Sequence, residues 1–185
     1  MVSYASMSDT PETLLTQAFK ARRENRLADA KRDLIEAVDL CRESNDKVML
    51  AKALTALGQI ERDLHHSDAA RQHYEEALAL YRADGNMLKL AHTVRHLGDI
   101  HRELGNLERA EPCYKEALEI YREHPETSPL ELANAIRGFA ILKTDIGDTE
   151  HAKWLWQEAR DLYAIVNVHE GVSESKRHLA QLAGR

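Results

Sequence analysis

KALTALGQIERDL, residues 52–64, followed by SDAARQHYEEALALYRAD, residues 67–84, decides the fold. The first stretch keeps Leu54, Leu57 and Gly58 on one face. The second keeps Ala70, Tyr74, Ala77, Leu78 and Tyr81, the i, i+3/i+4, i+7 spacing of an amphipathic helix. The text then returns: Val94, Leu97 and Gly98, then Ala110, Tyr114 and Ala117, all forty residues on. Gly58, Gly98 and Gly138 are forty apart, as are Ala30, Ala70 and Ala110, while Ala152 follows Ala110 at forty-two. A fixed period of this size marks stacked units, each burying its apolar face only against a neighbour. The small residues mark close helix crossings, with Tyr74, Tyr114 and Trp156 filling the space beside them.

The rest of the chain agrees. Of 185 residues, 43% are hydrophobic and 30% charged, the balance of a folded soluble protein. Only 4 prolines and 8 glycines interrupt it, which leaves room for long helices. The net charge of -6 argues against nonspecific nucleic-acid binding. Cys41 and Cys113 form no C-x2-C pair and read as reduced, half-buried helix residues. Residues 1–9 read as a disordered tail without an apolar leader, and no apolar run is long enough to span a membrane. A cytoplasmic location is the expectation.

Helix ends are signposted. Thr10-Pro11 and Ser128-Pro129 read as N-cap plus proline at the first turn, with Glu131 completing a capping box. Asn25, Ser67, Asn106 and Asp148 read as N-caps of second helices. First helices are expected over 11–23, 47–64, 87–104 and 129–146. Their partners are expected over 26–43, 68–83, 107–123 and 149–166, with a last helix over 170–183. The repeats then run 10–45, 46–85, 86–127 and 128–168, with 169–185 as capping helix and tail. Gly138 to Ile146 is eight residues where Gly58 to Leu64 is six, so repeat four is expected to carry two extra residues before its turn. Pro112, inside its helix, predicts a slight bend.

Leu54-x2-Leu57-Gly58, Val94-x2-Leu97-Gly98 and the Ala-x3-aromatic-x2-Ala runs resemble the tetratricopeptide repeat family. The forty-residue length is similar to the long-repeat branch in kinesin light chains and spindle-orientation adaptors. The resemblance implies an all-α, right-handed α-α superhelix of four helix pairs plus a C-terminal capping helix. It also implies that the first helices line a concave groove that takes a peptide or helix of a partner.

Counted from each glycine, the groove positions are Lys52, Thr55, Ala56, Gln59, Arg62 and Asp63 in repeat two. In repeat three they are His92, Arg95, His96, Asp99, Arg102 and Glu103. In repeat four they are Leu132, Ala135, Ile136, Phe139, Leu142 and Lys143. Arg22, Arg62 and Arg102, forty apart, would stack as a ladder suited to carboxylates. With Arg23, Lys52, Arg95 and Lys143 they outnumber Glu12, Asp63, Asp99 and Glu103, which favours an acidic segment. The alternative is that the arginines pair with Asp63 and Glu103 of neighbouring repeats. Leu132, Ile136 and Phe139 read either as a docking patch or as surface covered by the closing helix.

The family's clamp for chaperone C-termini is not matched. Its positions hold Leu15, Phe19, Ala56, His92 and His96 in one register. In the other they hold Thr55, Gln59, His96, Leu132 and Ile136. His92-x3-His96 is half a metal site without a third ligand, so no metal and no cofactor is expected. The two histidines instead predict a modest pH dependence of binding. No nucleophile or phosphate-loop motif occurs. Trp156 takes a core position, and Trp154 is left as a surface anchor or self-association contact. The expectation is a non-catalytic protein-binding module. The alternatives are a self-associating homodimeric scaffold and a regulatory or sensor module of a larger signalling system.

Overall fold

A computed structural model describes residues 10–184, and the expected tail over 1–9 lies outside the described residues. Among the described residues there are nine helices, grouped in two compact units that divide at Asp84/Gly85. The first unit holds α1 (Pro11–Arg23), α2 (Leu27–Ser44), α3 (Lys47–Asp63) and α4 (Ser67–Asp84). The second holds α5 (Met87–Glu103), α6 (Leu107–Glu123), α7 (Pro129–Asp145), α8 (Thr149–Ile165) and α9 (His169–Ala183). In each unit the helices pack as hairpins, α1 on α2 and α3 on α4, then α5 on α6 and α7 on α8, with α9 laid on α8. The fold is all-α, as the period requires.

One turn recurs inside every hairpin. Asn25, His65, Gly105 and Gly147 are left-handed, with φ of 58°, 62°, 76° and 80°. Each donates its N–H to the carbonyl three residues back, and the next residue reaches five back, as Arg26 N does to Ala21 O at 2.8 Å and His66 N to Glu61 O at 2.8 Å. This pair of hydrogen bonds closes the first helix and reverses the chain. Asn25 is therefore the turn residue and not an N-cap. Asn106 and Asp148 stand at the N-cap but make no capping bond. Asp148 instead accepts from His151 Nδ1 at 2.7 Å and faces Lys143 at 3.3 Å. Ser67 is already inside α4. Thr10 does form a capping box, with Thr13. Ser128 accepts from Leu130 N, so the expected box with Glu131 is not made. Helix α6 runs on through Pro112.

The core follows the repeated positions. Ala30, Ala70, Ala110 and Ala152 are fully buried, with Tyr74, Tyr114 and Trp156 packed in beside them. Trp154 stays 54% exposed. Cys41 is buried and Cys113 half-buried, and the Cys113 thiol donates to Arg109 O at 3.3 Å.

The fourth repeat needs a correction. Helices α3, α5 and α7 are each 17 residues, and their starts are forty and forty-two apart. The extra residues lie in the α6–α7 connection, 124–128, and not before the turn. Ala140, and not Gly138, is the counterpart of Gly58 and Gly98. Gly138 is small for another reason: a Cβ there would sit 2.7 Å from Tyr114 Cε1 of α6.

One ion pair between neighbouring hairpins recurs in the two units with its signs exchanged, each time with one partner buried and the other half-exposed. In the first, Lys31 of α2 meets Glu61 of α3 at 2.8 Å. In the second, Glu111 of α6 meets Lys143 of α7 at 3.0 Å. Burial alone would raise the Glu61 pKa, but hydrogen bonds from Lys31 and His66 outweigh it and hold the carboxyl below its ordinary range.

Candidate functional site

The first helices of each unit lie side by side, α1 with α3 and α5 with α7. The two resulting faces are built differently.

On α1/α3, Arg22 Nε donates to Asp63 Oδ2 at 2.6 Å and its Nη2 to Oδ1 at 3.3 Å. Lys52 and Arg23 are exposed, while Thr55, Gln59 and Arg62 are half-buried. Thr55 returns its hydroxyl to Ala51 O at 2.8 Å. Phe19 of α1 is 48% exposed, although Leu14, Leu15, Ala18 and Ala21 of the same helix are buried.

On α5/α7 the polar groups close on one another. Asp99 Oδ1 accepts from the Tyr114 hydroxyl at 2.7 Å, and its Oδ2 from Arg95 Nη1 at 3.3 Å. Arg95 Nη2 lies 2.9 Å from His96 Nε2. The arginine can only donate, so Nε2 accepts and the His96 proton is on Nδ1, which faces Asp99 Oδ2 at 3.5 Å. The Arg95 and Asp99 side chains keep only 12% and 10% of their surface exposed. The rings of His92 and His96 meet edge to face at 4.6 Å. Burial, then the neighbouring His96, Arg95 and Lys89, push the His92 pKa down to about 2 against the pull of Asp99. His92 therefore stays neutral, which removes the pH dependence expected of it.

Arg102 Nη1 reaches Asp145 Oδ2 at 3.5 Å. This is the same position pair as Arg22–Asp63. Two of the three arginines expected to form a ladder are thus each tied to a carboxylate of the next first helix, Asp63 for Arg22 and Asp145, rather than Glu103, for Arg102.

Repeat four departs most from expectation. Phe139 is 9% exposed, stacked on Tyr114 with ring centroids 5.9 Å apart, and Lys143 Nζ lies 5.4 Å over its ring. It holds the core position of Leu57 and Leu97, so it is not a groove residue. Ile136, Leu142 and Lys143 are buried for the same reason. The register shift brings Asn134, Arg137, Ile141 and Asp145 to the face instead. Arg137 donates through Nε and Nη2 to both Glu174 oxygens of α9 at 2.6 Å, and Asn134 accepts from the Tyr163 hydroxyl at 2.8 Å. The Ala110–Ala152 spacing of forty-two carried the signal that would have found them.

Helix hairpins packed one after another in this way define a helical repeat array. Residues 9–83 and 89–165 match the family model for the tetratricopeptide repeat, and the chain belongs to that family. No curated protein matches it in sequence. Among solved structures it is similar to BtubC (BKLC) from P. vanneervenii, with 20% identity and a TM-score of 0.72 over 94% of this chain and 81% of that one. It is also similar to aspartyl phosphate phosphatase F from Bacillus subtilis, with 14% identity and a TM-score of 0.83 over 93% of this chain and 45% of that one. A third is a signal transduction ATPase with numerous domains and a tetratricopeptide repeat sensor from Pyrococcus horikoshii, with 18% identity and a TM-score of 0.80 over 91% of this chain and 26% of that one. At these identities the likeness is one of fold. Among the described residues no helix is long and apolar enough to cross a membrane.

Proposed function

We propose that this chain is a non-catalytic interaction module of the cytoplasm that binds a segment of another protein on its first-helix faces, with acidic segments preferred. The family's general use in protein–protein interaction supports the class of work. The acidic preference rests on one observation: Lys52 and Arg23 stand exposed on the α1/α3 face of a protein whose net charge is -6. Exposed cations beside Arg22, Arg62, Thr55 and Gln59 give a partner's carboxylates somewhere to land. On the second unit, His92, Arg95, His96, Asp99 and Arg102 offer hydrogen-bonding groups with matched charges, suited to orienting a bound segment more than to attracting one. Nucleic acid, membrane, metal and cofactor have no part in this reading.

The test is affinity capture from the source cell's lysate. Wild type is compared with an Arg23→Glu/Lys52→Glu variant of unchanged helicity. A partner lost in the variant supports the reading, and capture of the same proteins by both overturns it. Reversal of Arg22 or Arg102 is a poorer probe, because each holds a carboxylate between repeats. A second reading, self-association into a homodimer, is favoured by Trp154, which lies exposed under Arg122 at 5.8 Å. A mass that rises with concentration, and no longer does so in Trp154→Ala, would support it.

A further inference from the structure

The α1/α3 face carries an aromatic side chain that the packing of its own unit leaves uncovered. Phe19 is 48% exposed, while the other apolar residues of α1 facing α2 and α3 are buried. Its place in the repeat is that of Gln59 on α3, a first-helix face position, so it stands on the ligand side of the hairpin and not on its outer side. One helical turn along are Arg22, which Asp63 holds in a fixed orientation, and the exposed Arg23. Across on α3 lie exposed Lys52 and half-buried Arg62. Glu12 and Asp63 are the acidic members of this face, and Asp63 is already engaged by Arg22. The face therefore presents one apolar knob inside a basic surround.

The second unit's face is the contrast that decides. Arg95, Arg102 and Arg137 are each held by a carboxylate, respectively Asp99, Asp145 and Glu174, and Phe139 is buried beneath. The Phe19 position is filled there by buried Asp99 on α5 and half-buried Ile141 on α7, and neither stands as exposed as Phe19.

We propose that Phe19 is the anchor of the binding face and that its occupant is a protein segment carrying one bulky apolar side chain flanked by carboxylates. This rests on the acidic-segment reading above and adds its hydrophobic determinant. A buried aromatic contact at the centre of a charged rim is the arrangement that concentrates binding energy. The rim steers encounter, and the ring, once covered, excludes water.

The experiment uses the full chain and two short fluorescein-labelled peptides of alternating Glu and Asp, one with a central leucine and one with glycine in its place. Binding is read by fluorescence anisotropy at low and moderate salt. Wild type is expected to prefer the leucine peptide by about tenfold, with both affinities falling as salt rises. Phe19→Ala, checked for unchanged helicity, is expected to lose that preference while still binding the glycine peptide. Arg23→Glu/Lys52→Glu is expected to lose both. Equal binding of the two peptides by wild type, or a preference that survives Phe19→Ala, overturns the anchor and leaves the acidic-segment reading standing. No binding of either peptide at low salt removes both. A dimer of the chain that Phe19→Ala dissolves would assign the ring to a second copy and overturn the proposal.

Discussion

Gly171 sits where no other residue fits. A Cβ there would lie 2.5 Å from the Tyr163 ring, inside any real carbon–carbon contact. Gly58 is less tight, with 3.1 Å to the tip of Tyr74. Gly171→Ala is therefore expected to lower stability by about 1–3 kcal/mol and Gly58→Ala by less, as urea midpoints at unchanged m-value would report. The same comparison explains what the sequence hid. Gly58 is small because Tyr74 of its own hairpin approaches, whereas Gly138 is small because Tyr114 of the preceding hairpin does. Both contacts select glycine, and the spacing of forty runs unbroken through Gly58, Gly98 and Gly138, so the letters alone placed Gly138 two residues out of register. Phe139 was misplaced with it.

Helix α9 is held by two titrating groups. Glu174 is held to Arg137 by two bonds of 2.6 Å, and that guanidinium keeps its carboxyl below the ordinary range. His178 stacks on Trp156 with ring centroids 4.2 Å apart, and burial pushes its pKa down. Both groups bind protons more readily in the unfolded chain, so both contribute stability that is complete above their unfolded pKa and lost as the pH falls. The histidine acts first, below about pH 6.5, and the carboxylate below about pH 4.3. Hydrogen exchange is expected to show α9 amides losing protection on acidification before those of α1 do. Equal loss in both helices would count against this latch. Helix boundaries, unlike register, were legible to within about a residue, because amphipathic period and turn residues act locally. Turn roles were less so: asparagine serves both as N-cap and as left-handed residue, and at Asn25 the pair of hydrogen bonds that closes α1 selected the second.

For the molecule as a whole, the array was readable and its address was not. A period of forty residues specifies hairpins that stack, and family and fold follow from it. Which face takes a ligand depends on exposure and on who pairs with whom, and neither is periodic. Arg22 and Arg102 share a repeat position and a partner type, yet Phe19 and Asp99, also equivalent, stand exposed in one unit and buried in the other. The repeats are thus alike in backbone and individual in side chains. Replacing residues 107–123 with the α2 sequence of residues 27–43 would set a lysine against Lys143. That hybrid is expected to melt lower than wild type and to recover when Lys143→Glu is added, as thermal scans would record.

The exchanged ion pair then bears on inheritance. Genes with internal repeats lengthen and shorten by unequal crossing-over, since near-identical segments align out of phase. A recombinant that joined α2 to α7 would bring Lys31 to Lys143, and one that joined α6 to α3 would bring Glu111 to Glu61. Each sets two like charges against one another with one of them buried, which lowers stability and disfavours the misassembled products. Two opposite ion pairs act as a checksum on repeat order, and they let the chain keep its copy number while its outer surface drifts.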